Sequence, residues 1–265
     1  MSLIYRRFSY AFVVAVAVCF IFLAIFNREQ PLDANSIPTS IQTQLRWSHS
    51  GKSNWKEIRY EVDRTFTSSY GKTEDVRVKY RLENLGNGLV HRSDNWYPRH
   101  IGNALIYEER YILYANLIGF SSRYRETAPV FHAIFENTGW LENKLIDASL
   151  QIPDLKNFDS KWQVKTTLIQ LQDVFPMVAG SKVDRVTKDT TCVSTSLHAG
   201  LNKKRVVVSC DVKRTDGTSR KATYAFLVEV GIFILNSYDD TNGEESVSGS
   251  SAIRKLQVDG VELQY

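Results

Sequence analysis

A run of nineteen residues without a charge, Phe8 to Phe26, is the strongest constraint in this chain. Arg6 and Arg7 precede it, and Arg28 and Glu29 close it. A helix of that length rises about 28 Å, close to the roughly 30 Å of bilayer hydrocarbon. Inside a bilayer every backbone polar group must be satisfied within the segment, so the run is predicted to be helical there. The basic residues cluster before it. That predicts a cytoplasmic tail over 1–7, a signal-anchor helix over 8–26 and the remainder across the membrane. The run is longer than a cleavable signal core, and the one passable cleavage site, Leu32-Asp33-Ala34, lies past its end. The anchor is therefore read as uncleaved.

The exported part is bounded by its composition. Whole-chain charge is +4, of which Arg6 and Arg7 supply two. A balance that even excludes a nucleic-acid surface as the default. Residues 27–54 are polar, contain Pro31 and Pro38 and show no apolar periodicity, so they read as a flexible stem. Residues 55–265 then form one extracytoplasmic domain. No Asn-x-Ser/Thr sequon follows the anchor, which favours a bacterial periplasm over an ER or Golgi lumen or the extracellular side.

Cys192 and Cys210 lie in this exported part, in two β-rich segments separated by the turn signal Ala199-Gly200-Leu201-Asn202-Lys203. Both are equidistant from Leu201. A symmetric hairpin centred there places them opposite one another, and an oxidising compartment predicts a disulfide.

Ile58, Tyr60 and Val62 alternate with charged residues, as do Val76, Val78, Tyr80 and Leu82, which predicts a hairpin. The middle reads as helical. Ile101, Leu105, Ile112 and Ala115 stand near helical spacing, Thr127 and Pro129 suit a helix start, and Leu141, Leu145 and Ala148 continue the pattern. Trp162–Phe175 fits either a helix or a strand. From about residue 183 the chain reads as a β-meander, with turns at Asp216-Gly217 and Asp259-Gly260 and a flexible loop over Asp239–Ser251. The expected class is α+β: an N-terminal transmembrane helix, then a domain with an antiparallel sheet and a central group of helices.

The densest chemistry lies in His91-Arg92-Ser93-Asp94-Asn95-Trp96-Tyr97-Pro98-Arg99-His100, read as a loop between a strand and a helix. Arg92 and Arg99 with Trp96 could grip a carboxylate, phosphate or sugar, with Asp94 and His100 completing a ligand site. His91, Asp94 and His100 match no metal-ligand spacing, and no nucleotide, zinc or nucleophile motif occurs, so no metal or cofactor is expected. Topology, stem and disulfide together predict an assembly component of a membrane or envelope complex. Its expected partners are the bilayer, through Phe8–Phe26, and another protein or a second copy. The alternative is a signal-anchored enzyme acting on a polar or anionic substrate such as a glycan. The layout of tail, anchor and stem resembles that of Golgi-type glycosyltransferases, although no Asp-x-Asp motif is present.

Overall fold

The structure is a computed structural model that describes Val14 and residues 32–42, 54–98, 107–126, 141–151, 161–172, 182–195, 205–243 and 245–263. The chain divides into two compact units, Met1–Pro31 and Leu32–Tyr265. Of the first, only Val14 is described, as helical. The predicted span Phe8–Phe26 otherwise lies outside the described residues. Among the described residues, no helix is long and apolar enough to cross a membrane.

The second unit is built from strands. In chain order they are β1 (Glu57–Ser68), β2 (Thr73–Gly86), β3 (Leu89–Pro98), β4 (Tyr107–Tyr114), β5 (Ile118–Glu126) and β6 (Leu141–Gln151). There follow β7 (Lys161–Gln172), β8 (Lys182–Thr195), β9 (Arg205–Arg214), β10 (Ser219–Leu227), β11 (Ile232–Asn242), β12 (Glu245–Val258) and the short β13 (Val261–Glu262). Each pairs antiparallel with its neighbour in sequence, and β1 also pairs with β12, closing a twelve-stranded up-and-down barrel. The expected α+β class with central helices is overturned. The segments read as helices at 107–114 and 141–150 are β4 and β6, the ambiguous 162–172 stretch is β7, and the loop expected over Asp239–Ser251 is largely β11 and β12. The helix expected from Thr127 lies outside the described residues.

The physical reason is alternation. In a strand, neighbours point to opposite faces. On β4, Glu109, Tyr111 and Leu113 line the lumen. Glu108 and Arg110 between them form an ion pair at 2.7 Å. The predicted first hairpin is present as β1 and β2, with Tyr60 opposite Tyr80. The outer face of these two strands carries Arg59, Glu61, Asp63, Arg77, Lys79 and Arg81, a charged surface unlike the apolar band of a lipid-facing barrel. Cys192 lies opposite Cys210 across β8 and β9, and a disulfide joins them, their Cα atoms 4.1 Å apart.

Eight strands enclose just enough room for side chains to fill. Twelve enclose more, and the chain fills one end with its own elements. The β10–β11 register shifts at Asn236, and residues 232–235 of β11, which precede the shift, stay paired with β10 but have no partner in β12. The end of this hairpin is buried on both faces. Phe226 and Phe233 pack with Tyr114, Phe120, Trp162 and the disulfide. Ile232 and Ile234 pack with Ile58, Val78 and Leu82. This explains an apolar run with no alternation. Ile37 and Ile41, the latter on the single-turn helix α1 (Thr39–Gln42), are buried in the first of these clusters. The Trp55 indole donates to the Val230 carbonyl at 2.8 Å, and the Asp259 carboxylate accepts from the backbone N–H groups of Lys56 and Glu57 at 2.8 Å each, fixing the seam at this end.

Candidate functional site

Above this packed end the lumen holds a cavity of about 640 Å³. Its floor is the turn between β4 and β5. Ala115 and Asn116 there both have positive φ, 50° and 60°. The Ala115 N–H donates to the Gly88 carbonyl at 2.8 Å, and the Ala115 carbonyl accepts from the Phe233 N–H at 3.0 Å. Neighbouring hairpins thus hold the left-handed backbone in place, a conformation that a non-glycine residue keeps only when its surroundings impose it. Asn116 is 4% exposed. Its amide N–H donates to the Phe233 carbonyl at 2.7 Å and its carbonyl accepts from Arg92 at 3.0 Å.

The wall is aromatic and cationic. Tyr60 and Tyr80 stack with ring centres 4.4 Å apart. The Arg64 guanidinium lies 5.0 Å from the Trp96 ring centre, and that of Arg92 lies 4.4 Å from Tyr111. Cations over ring faces are attracted by the ring quadrupole, more strongly once desolvated. Arg64 also donates to the Tyr80 hydroxyl and to Ser251 Oγ, the latter at 3.2 Å. Trp96 Nε1 donates to Glu109 at 3.1 Å. The Tyr238 ring lies so close over Gly249 that a methyl group there would collide with it. The missing side chain leaves room for this ring, which lines the cavity.

Asp94 is 1% exposed. Arg92 Nε stands 2.8 Å from its Oδ1, yet neither atom has a well-aligned hydrogen bond, so the contact is an ion pair rather than a directed bond. Burial, reinforced by Glu109 across the ladder, outweighs the guanidinium and pushes the Asp94 carboxyl up to about 7. Burial also raises the Tyr60 phenol to about 12.

Six cations line the cavity (Arg64, Arg92, Arg123, Lys188, Arg214 and Arg220) against three carboxylates (Asp94, Glu109 and Asp216). Arg220 is matched by Asp240, with Nη2 to Oδ2 at 2.6 Å. Lys188 on β8 faces Arg214 on β9 in register. Among the described residues, the side chains of these two make no hydrogen bond or ion pair. Burial, together with Arg214 and Arg220 nearby, pulls the Lys188 ammonium down to about 8.

Of the predicted site residues, Arg92, Asp94 and Trp96 line the cavity, because they alternate on the inner face of β3, which was expected to be a loop. Arg99 and His100 lie outside the described residues. His91 does not join them. It faces Glu83 at 3.3 Å on the opposite side of the strand. Arg64, Tyr60, Tyr80, Glu109, Lys188, Arg214 and Arg220 also line the cavity but are not among the predicted site residues. Their signal is a charge standing in phase with apolar neighbours, as in Val62-x-Arg64-x-Phe66 or Val186-x-Lys188.

No family model matches the sequence, and no curated protein matches it either. Among solved structures, the chain is similar to a candidate AttH protein from Nitrosomonas europaea, at 10% identity over 89% of this chain and 94% of that one, with a TM-score of 0.18. A superposition that poor carries no argument about fold or ligand.

Proposed function

We propose that the barrel binds a small amphipathic anion, held in the lumen between the aromatic wall and the Lys188–Arg214 pair. One observation carries this reading. A cavity of about 640 Å³ holds six cations against three carboxylates, and among the described residues the side chains of Lys188 and Arg214 make no hydrogen bond or ion pair, Asp216 acting on them only at longer range. Partly buried cations that outnumber the carboxylates around them are costly, and an anionic ligand offsets that cost. The volume falls within the usual range of small-molecule sites. We further infer from the sequence that Phe8–Phe26 tethers the barrel on the periplasmic side of a membrane, a placement with which the disulfide is consistent. The assembly-component role rests on the sequence's anchor and stem alone, and within that stem Ile37 and Ile41 are buried in the barrel core. A closed sheet offers a partner little free edge, so ligand binding takes precedence.

Calorimetric titration of the full chain in lipid nanodiscs with naphthalene sulfonate tests the reading. Saturable one-site binding is expected, with neutral naphthalene methanol at least tenfold weaker. Losing a charge-assisted contact is worth about 1.5–3 kcal/mol, so Lys188→Ala should weaken the sulfonate by roughly ten- to a hundredfold. Equal affinity for the neutral analogue, or no change in the variant, overturns it.

A further inference from the structure

Lys188 differs in its surroundings from the other described lysines. Lys165, one strand away, is exposed and lies 3.9 Å from Asp189. Lys188 lines the cavity, opposite Thr166 on β7 and Arg214 on β9, and feels a second guanidinium, Arg220, from β10. Asp216 acts on it only at a distance and is itself hydrogen-bonded to Thr218, through both backbone and side chain at 2.9 and 2.6 Å. An ammonium near two guanidiniums is repelled, whereas a neutral amine is not. The same guanidiniums attract a carboxylate.

We propose that Lys188 is a covalent site, whose amine condenses with the carbonyl group of a carboxylated aldehyde or ketone bound in the lumen while Arg214 holds the carboxylate. This rests on the binding reading above and extends it to a ligand class. The Nζ lone pair attacks the carbonyl carbon. A C–N bond forms, the C=O π bond breaks, and a proton passes from nitrogen to oxygen to give a carbinolamine. The hydroxyl then leaves as water while the C=N bond forms. One amine and one carbonyl give one imine and one water, with no oxidant or reductant. A lysine lowered to about 8 carries on the order of a hundredfold more neutral amine at pH 7 than an ordinary one. A desolvated lysine beside another cation is a known route to such nucleophiles.

The test treats the full chain in nanodiscs with terephthalaldehydic acid and sodium cyanoborohydride, then maps adducts by peptide mass. One reduced adduct per chain is expected, on the peptide holding Lys188. Lys188→Arg should abolish it, and Lys165→Arg should leave it unchanged. Benzaldehyde, which lacks the carboxylate, should label at least tenfold more slowly, as should terephthalaldehydic acid on Arg214→Gln. Labelling spread evenly over exposed lysines, or undiminished in Lys188→Arg, overturns the proposal. Saturable naphthalene sulfonate binding with no Lys188 adduct overturns the covalent site and leaves the binding reading standing. Absence of both removes the two together.

Discussion

Follow β1 and β2 from one end of the barrel to the other. Ile58 and Leu82 face each other at the packed end, both fully buried among aliphatic side chains. Six residues further along β1, Arg64 is nearly as buried, at 7% exposure, but sits among Tyr80, Trp96 and Phe66 at the cavity wall. The same strands thus carry two kinds of interior. At the packed end, the β10–β11 hairpin and Ile37 and Ile41 supply the volume that a twelve-stranded wall leaves open. At the other, the volume stays open and is lined with charge. Stability concentrates where apolar area is removed from water. The charged end draws on that reserve, as sites built for ligands commonly do.

That contrast can be broken from either side. The largest effect is expected at the packed end. Phe226→Ala removes a fully buried ring and should cost about 3–5 kcal/mol in urea unfolding. A loss under 1 kcal/mol would mean that the inward hairpin is not a packing element. Reducing the disulfide, or replacing both cysteines by Ala, opens a loop spanning 18 residues of sequence and should cost about 3 kcal/mol by the chain-entropy estimate.

At the cavity end the effects are pH-dependent. The Asp94 carboxyl is raised from 3.8 to about 7 in the fold, so between those values the folded state holds more protons than the unfolded one. Its contribution is fully present below about pH 4 and is lost as pH rises through 7. Asp94→Asn should flatten that part of the stability–pH curve, and an unchanged slope would place the titration elsewhere. Lys188 runs the other way. Its folded value is depressed from 10.5 to about 8, so stability rises as pH climbs from 8 to 10.5. Lys188→Met should therefore stabilise the protein by about 1–2 kcal/mol at pH 7, with the gain fading towards pH 10.5. The smallest effect on stability is expected for Gly249→Ala, about 1 kcal/mol, because the Tyr238 ring that it meets lines the cavity and can shift towards it. Its signature is a loss of ligand affinity larger than that stability cost.

The same division explains what could be read from the sequence. The β1–β2 hairpin, the Cys192–Cys210 register and the turns at Asp216-Gly217 and Asp259-Gly260 were legible, because apolar alternation or turn chemistry marked them. The helices expected in the middle were not strands to the eye because the lumen there is polar. On β3, Arg92 and Asp94 point inward while His91, Ser93 and Asn95 point outward, so neither face looks like a core and the strand reads as a loop. On β4, Glu109 occupies an inward position for the same reason. The hydrophobic pattern fails where the cavity begins, so the site was half-visible as chemistry and invisible as structure. Arg92, Asp94 and Trp96 stood out by density alone. Lys188 and Arg214 needed the closed barrel, which brings β8 and β9 round to face β1 and β3.

Among the described residues, every strand pairing in the barrel joins neighbours in sequence except one. Ile58 meets Val258 across the β1–β12 seam, 200 residues away by subtraction. Hairpins zip in microseconds, whereas closing a loop that long costs about 5 kcal/mol of chain entropy before its contacts form. Folding should therefore run as a growing ribbon that becomes a barrel only at the final step. Arg64 on β1 reaches Ser251 on β12 across that seam. The chain has no lumen until it has finished folding, and amide exchange should find β1 and β12 acquiring protection last.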